Sequence, residues 1–456
     1  MRTGLIAVCV LGVMAWIVSG PMTVSFAGAG AGPPPAAFLY TAAKQYDPTV
    51  WMRGGERFAS GATVYLVNGD KRRALVSGFA ATADPSVSFD AQNVLFAGKR
   101  TVNSPWLIWE VSLEDGQVRS VTSGSEDCVR PFYLPEDRVV YARKVKGRFV
   151  IEIAPLNGKA PLQLTYAPGN FLPTGVLRDG RVLFETAYPL GGNVSAELYT
   201  VYSDGSGVES YRCDHGRSRY AGRQVASGDI VFARERGLSR FTSALAKEVE
   251  VAAPVGEYAG DIAENSAGDW LLAWRAGAQK LFELKSWTPG ASSFKTIAKM
   301  DGVNVVQPVL LEVRPVPNRH PSGLHDWNNA NLLCLNAYTS KFNFQSGSIK
   351  TARLYTRSAT GRAELLGSTS VERDGSFYVQ VPNDKPLRIE LLDASGKTLK
   401  REAGWFWMRR GEQRICVGCH AGPETAPENA VPMVLQRSTK PADMTGAAAH
   451  ASTGGH

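Results

Sequence analysis

The stretch PFYLPEDRVVYARK, residues 131 to 144, sets a polar turn of Pro135, Glu136 and Asp137 against Val139, Val140 and Tyr141. β-Branched and aromatic residues after such a turn favour a strand. The same order returns in VSFDAQNVLFAGKR (87 to 100), PTGVLRDGRVLFETA (173 to 187), RQVASGDIVFARER (223 to 236) and ENSAGDWLLAWRAG (264 to 277). The aligned positions Val94, Val139, Val182, Ile230 and Leu271 are 45, 43, 48 and 41 residues apart. That period matches a β-propeller blade, roughly 40 to 50 residues for four short strands.

Each of these strands leads into a second unit, such as LIWEVSLEDGQVRSVT (107 to 122) or ELYTVYSDGSGVESY (197 to 211), and in most of these units apolar runs flank a Gly-bearing turn. This is the pattern of a hairpin, and five blades follow from it. One hairpin, TVYLVNGDKRRALVSGF (63 to 79), stands alone before the first blade, and VNVVQPVLLEVRPV (303 to 316) stands alone after the fifth. The two orphans complement each other. The first is expected to supply the outer strands, and the second the inner strands, of a sixth blade that closes the ring, because an open ring leaves blade faces wet and end strands unpaired.

The rest of the chain is read outward from this ring. With 456 residues, 44% hydrophobic and 20% charged, the sequence is globular and multi-domain. The net charge of +8 comes from 50 basic and 42 acidic residues scattered along the chain, which argues against nucleic-acid binding and leaves room for an acidic protein partner. Arg2, the apolar run Leu5 to Val18 and Ser25-Phe26-Ala27 read as an export signal over 1–27, with the run too short for a stable membrane span. The expected location is therefore periplasmic or extracellular. A leader or linker follows over 28–59, the propeller over 60–316, a sandwich with its joining segment over 317–404, and an attachment segment with a flexible tail over 405–456.

The sandwich is expected from five short strands of period two: ANLLCLNAY, TARLYTRS, AELLGSTSV, GSFYVQVP and LRIELLDASG. The fold class is thus all-β, a six-bladed propeller followed by a small antiparallel β-sandwich and a c-type haem attachment segment. That segment is RICVGCHAGPE, residues 414 to 424, with Cys416 and Cys419 at the spacing for two thioether bonds and His420 placed as the proximal iron ligand. A closed zinc site needs a fourth ligand, and no second Cys-x-x-Cys or His-x-x-x-His supplies it. One covalent haem c per chain is the expectation. With only 36 residues after His420, the haem must be housed by the sandwich, the propeller or the segment between them. For the distal iron position, His325 is the first candidate and His320 the alternative, because both lie in the joining segment; Met433, His450 and His456 come next. Of the remaining cysteines, Cys128, Cys213 and Cys334 are expected as small buried thiols, with a Cys128 to Cys213 bridge as the alternative.

The repeats resemble Tol-type propeller repeats, as in LPEDRVVY and LRDGRVLF. The run GSFYVQVPNDKPLRIELLDASG, WFWMRRGEQRICVGCHAGPE and ENAVPMVL resembles the haem-bearing end of exported propeller cytochromes related to the hydrazine synthase alpha subunit. The resemblance implies an exported propeller, a sandwich and a c-type haem, with Cys416 and Cys419 matching the thioether cysteines and His420 the proximal histidine. The synthase subunit carries a second, catalytic haem in an additional domain, and this sequence departs from that pattern by holding one Cys-x-x-Cys-His. The function expected is electron transfer, with the propeller docking a redox protein partner or the other subunits of a complex. The alternatives are a haem redox enzyme subunit, in which Asp214 and His215 handle protons, and a Tol-like binding scaffold.

Overall fold

The computed structural model describes residues 37–157, 160–190, 193–212, 218–358, 361–402, 404–419 and 429–446. The expected signal segment, the loop holding Cys213, Asp214 and His215, the proximal His420, and His450 and His456 lie outside the described residues. Among the described residues, no helix is long and apolar enough to cross a membrane.

Six antiparallel sheets follow one another from Ala37 to Leu310. Val94, Val139, Val182, Ile230 and Leu271 all fall in the second strand of their sheets, and all are buried. The strand before each of them lies innermost, and the innermost strands of neighbouring sheets pack on one another around an axis. This is a β-propeller.

The closing sheet differs from the expectation. Its order is Asn304–Leu310, Ala37–Ala43, Thr63–Asn68, Lys71–Ala74. The C-terminal segment therefore gives only the innermost strand, and the second comes from residues expected in a leader. Ala37–Ala43 lies between its partners, pairing Leu39 with Leu66 on one side and Leu39 with Val309 on the other. Asn304–Leu310 in turn packs on the inner strand Ala81–Val87 of the first sheet and on Trp270–Arg275 of the fifth. A strand paired on both edges and covered on both faces needs no alternation, and FLYTAA has none.

Residues 44–62 also belong to the propeller rather than to a linker. The 3-10 helix Val50–Arg53 carries Trp51, fully buried with Phe58 in the same apolar cluster as Ala83, Val129, Leu172, Tyr220, Tyr258 and Leu272. These come from five successive sheets, so the segment fills one end of the ring's centre.

The axis itself is polar. At Asp84, Arg130, Ala221, Asp261 and Gln307 the inner strands break register or pairing with φ between 52° and 58°. Such bulges re-aim side chains out of the pleat. Asp84 accepts from both Arg57 (2.7 Å) and the Arg130 backbone N–H (3.0 Å). Arg130 makes a two-pronged pair with Asp261 (2.8 and 2.9 Å), and Arg223 reaches the same carboxylate at 2.9 Å. Glu185 accepts from the Ala221 N–H at 2.7 Å, and Gln307 accepts from Thr41 and the Asp84 N–H. All six sheets are tied into one network.

The C-terminal module is a sandwich of two four-stranded sheets. All five expected strands are present. One sheet, Ala363–Ser370, Thr351–Arg357, Leu387–Leu392, Thr398–Arg401, is antiparallel. The other is mixed: Ala330–Cys334 pairs antiparallel with Phe377–Val381 but parallel with Gln413–Cys416, and Ala442–Asp443 adds in parallel at the far edge. The attachment segment is thus a strand of the sandwich, and the described tail packs on it, with Met444 buried.

Candidate functional site

The junction of sandwich and propeller is made by Trp405 to Met408, which alternate like a strand. Trp405 and Trp407 join the apolar cluster of the second and third propeller sheets, where Trp407 meets Phe171 edge-on at 5.9 Å. Phe406 and Met408 point the other way into the sandwich core. Charge fixes the docking: Arg409 pairs with Asp384 at 2.6 Å and lies over Tyr166, while Glu412 accepts from the Gly207 N–H at 3.2 Å and the Arg409 N–H at 2.7 Å.

A cavity opens beside this zipper. Leu332, Cys334 and Phe377 line it from the mixed sheet, and Ile389, Leu391 and Lys400 from the other. Trp405, Phe406 and Trp407 supply an aromatic wall, and Tyr199, Val208, Glu209 and Ser210 close it from the third propeller sheet. Cys416 and Cys419 both line this cavity. Cys416 ends the strand Gln413–Cys416, where its carbonyl accepts from the Leu335 N–H at 2.9 Å. The turn to Cys419 presses on the chain at Gly418, where a Cβ would lie 2.0 Å from the Thr339 carbonyl oxygen, so only glycine fits.

Both thiols are free and half-buried. Burial pushes the Cys419 thiol up to about 12, with the Glu402 carboxylate adding and Lys400 opposing. Burial likewise raises Cys416, with Arg414 opposing. Both side chains are therefore thiols rather than thiolates at neutral pH. Among the described residues, no cluster of three His, Cys, Asp or Glu side chains could hold a metal ion. Two thiols one turn apart on an apolar aromatic cavity fit covalent attachment of a flat, apolar cofactor, and Lys400 and Arg414, from the two facing sheets and the latter paired with Glu412 at 2.6 Å, add cationic groups to the lining.

The distal candidates lie elsewhere. His325 is exposed, stacked on Trp327 at 4.4 Å, with its backbone docked on Gly411. The neighbouring Asp326 pairs with Arg410. His320 is exposed and stacked on Tyr202 at 3.8 Å. The joining segment runs along the propeller, where Asn318 N–H bonds the Arg178 carbonyl and Ser322 bonds Asp204, and this holds both imidazoles off the cavity. Met433 and Met408 do not line it either. Lys400, Glu402 and Glu209 also line the cavity, although each looks in sequence like an ordinary solvated residue.

The profile of the hydrazine synthase alpha subunit middle domain matches residues 336–421. The hydrazine synthase subunit alpha of Kuenenia stuttgartiensis is 34% identical over 58 residues, a stretch that is 13% of this chain and 7% of that protein. The solved Kuenenia stuttgartiensis hydrazine synthase superposes with a TM-score of 0.77 at 15% identity, covering 89% of this chain and 72% of that one. TolB from Acinetobacter baumannii gives a TM-score of 0.47 at 15% identity over 60% of this chain and 66% of its own. The chain is thus related to the hydrazine synthase alpha subunit, by sequence in the sandwich and attachment segment and by fold over most of its length.

Proposed function

From that relation, we propose that the chain is an exported redox subunit carrying one haem c, bound through thioethers to Cys416 and Cys419 with His420 on the iron. The observation that carries this reading is that both cysteines of the motif open onto one apolar cavity at the junction of sandwich and propeller. Haem supplies a one-electron couple. The chain's own residues would set how that couple behaves: the aromatic wall excludes water and lowers the local dielectric, and Lys400 and Arg414 balance acidic groups. Burial in such a wall raises the potential by disfavouring the more charged oxidised iron, and nearby cations act in the same direction. The propeller closes the cavity with Glu209 and Ser210 and offers its remaining rim to a redox partner or the other subunits of a complex.

A second reading follows from the placement of His325 and His320 away from the cavity. A cavity residue such as Lys400 would then serve as the second ligand, or the iron would bind substrate directly, as a redox enzyme subunit requires. Visible and EPR spectra of the purified protein during a potentiometric titration test both. A reversible one-electron wave with low-spin iron in both states supports the carrier. High-spin ferric iron that binds cyanide readily supports the enzyme subunit, and the absence of any haem from a Cys416→Ala, Cys419→Ala variant is required by both.

A further inference from the structure

Cys334 is the third thiol of the cavity. It ends the strand Ala330–Cys334, and in the parallel ladder its register partner is Cys416. Paired strands lie about 4.7–4.9 Å apart, inside the Cα separation of roughly 4.4–6.8 Å that a disulfide spans. Both side chains line the same cavity, so both point to one face of the sheet. Cys334 is 4% exposed and Cys416 half-buried.

We propose that in the haem-free chain Cys334 and Cys416 close a disulfide that withholds Cys416 from cofactor attachment, so that the cavity loads only when reduced. This rests on the haem reading for its consequence but not for its chemistry. The oxidant is a small disulfide of the glutathione class. The accessible Cys416 sulfur attacks it and releases one reduced thiol; the Cys334 sulfur then displaces the second. Two protein thiols lose two protons and two electrons, and one small disulfide becomes two thiols. A thioether forms by adding S–H across a carbon-carbon double bond, so the oxidised Cys416 cannot take part. Cys334 needs no path to solvent, because only Cys416 meets the oxidant. The bridge Cys416 to Cys419 is the competitor, and the cross-strand pair is the one that the ladder holds in register.

The full chain, produced in cells that lack haem attachment, is equilibrated with oxidised glutathione, alkylated and digested with trypsin. Peptide 320–341 is expected to be linked to peptide 415–437, to remain linked in Cys419→Ala and to separate in Cys416→Ala. Linkage that survives Cys416→Ala, or a bridge confined to Cys416 and Cys419, overturns the proposal. In cells that attach haem, Cys334→Ala is expected to raise the haem-bearing fraction under oxidising growth. Linkage without that rise overturns the gating and keeps the disulfide, and a parent chain free of haem under all conditions fails the haem reading alone.

Discussion

Asp261 and Glu185 share one buried network yet titrate in opposite directions. Although burial alone would raise it, the Arg130 and Arg223 guanidiniums hold Asp261 down at about 2. Burial pushes Glu185 up to about 7, against the pull of Arg130. Glu185 accepts one backbone N–H and has no guanidinium bonded to it among the described pairs, so its charge is not repaid. An acid whose folded value lies above its ordinary 4.5 stabilises the fold fully below that pH and loses the contribution as pH rises to 7. Glu185→Gln, which keeps the acceptor and removes the charge, is therefore expected to gain about 3 kcal/mol on the parent between acid and neutral pH. Urea midpoints of the two proteins measured across that range check this, and parallel curves would refute it. At the same scale, His325→Ala and His320→Ala are expected to leave the haem spectrum of the parent unchanged, since both rings stack outside the cavity. A switch from low-spin to high-spin ferric iron in either variant would restore that histidine as the distal ligand.

At the scale of elements, the repeat was legible because each second strand follows a polar turn and is β-branched or aromatic at its centre. The hairpin Thr63–Asn68 with Lys71–Ala74 was legible from its two-residue Gly69-Asp70 turn. Ala37–Ala43 was not, since a strand buried on both faces lacks the period of two and follows a Gly- and Pro-rich run that reads as a tether. The axial network was hidden for a different reason. Asp84, Arg130 and Gln307 look like solvated charges or amides in sequence, although each precedes a proline, and Asp84-Pro85, Arg130-Pro131 and Gln307-Pro308 mark equivalent bulges. The plug carries its own prediction. Trp51→Ala empties the centre of the ring and is expected to cost roughly 3–5 kcal/mol with a single cooperative transition, read by urea unfolding. A loss within experimental error would show that residues 44–62 only lie on the ring.

For the whole molecule, the motif Cys-x-x-Cys-His marks Cys416 and Cys419, which the fold places on one cavity, while the cavity itself could not be read from one segment. Its walls come from strands between Tyr199 and Cys419, far apart in sequence, and only the docking of Trp407 and Arg409 on the propeller brings them together. The same docking completes the cavity: the sandwich supplies two walls, the aromatic zipper a third and the propeller the lid. The proposed function stands on covalent haem at this junction. Intact-mass and peptide-mass spectrometry of the chain, made by cells that export and attach haem c, is the sharpest check. A polypeptide heavier by one haem is expected, with the haem carried on the peptide 415–437 and retained through acid-acetone extraction. A chain with the mass of polypeptide alone and alkylatable thiols at Cys416 and Cys419 would contradict it.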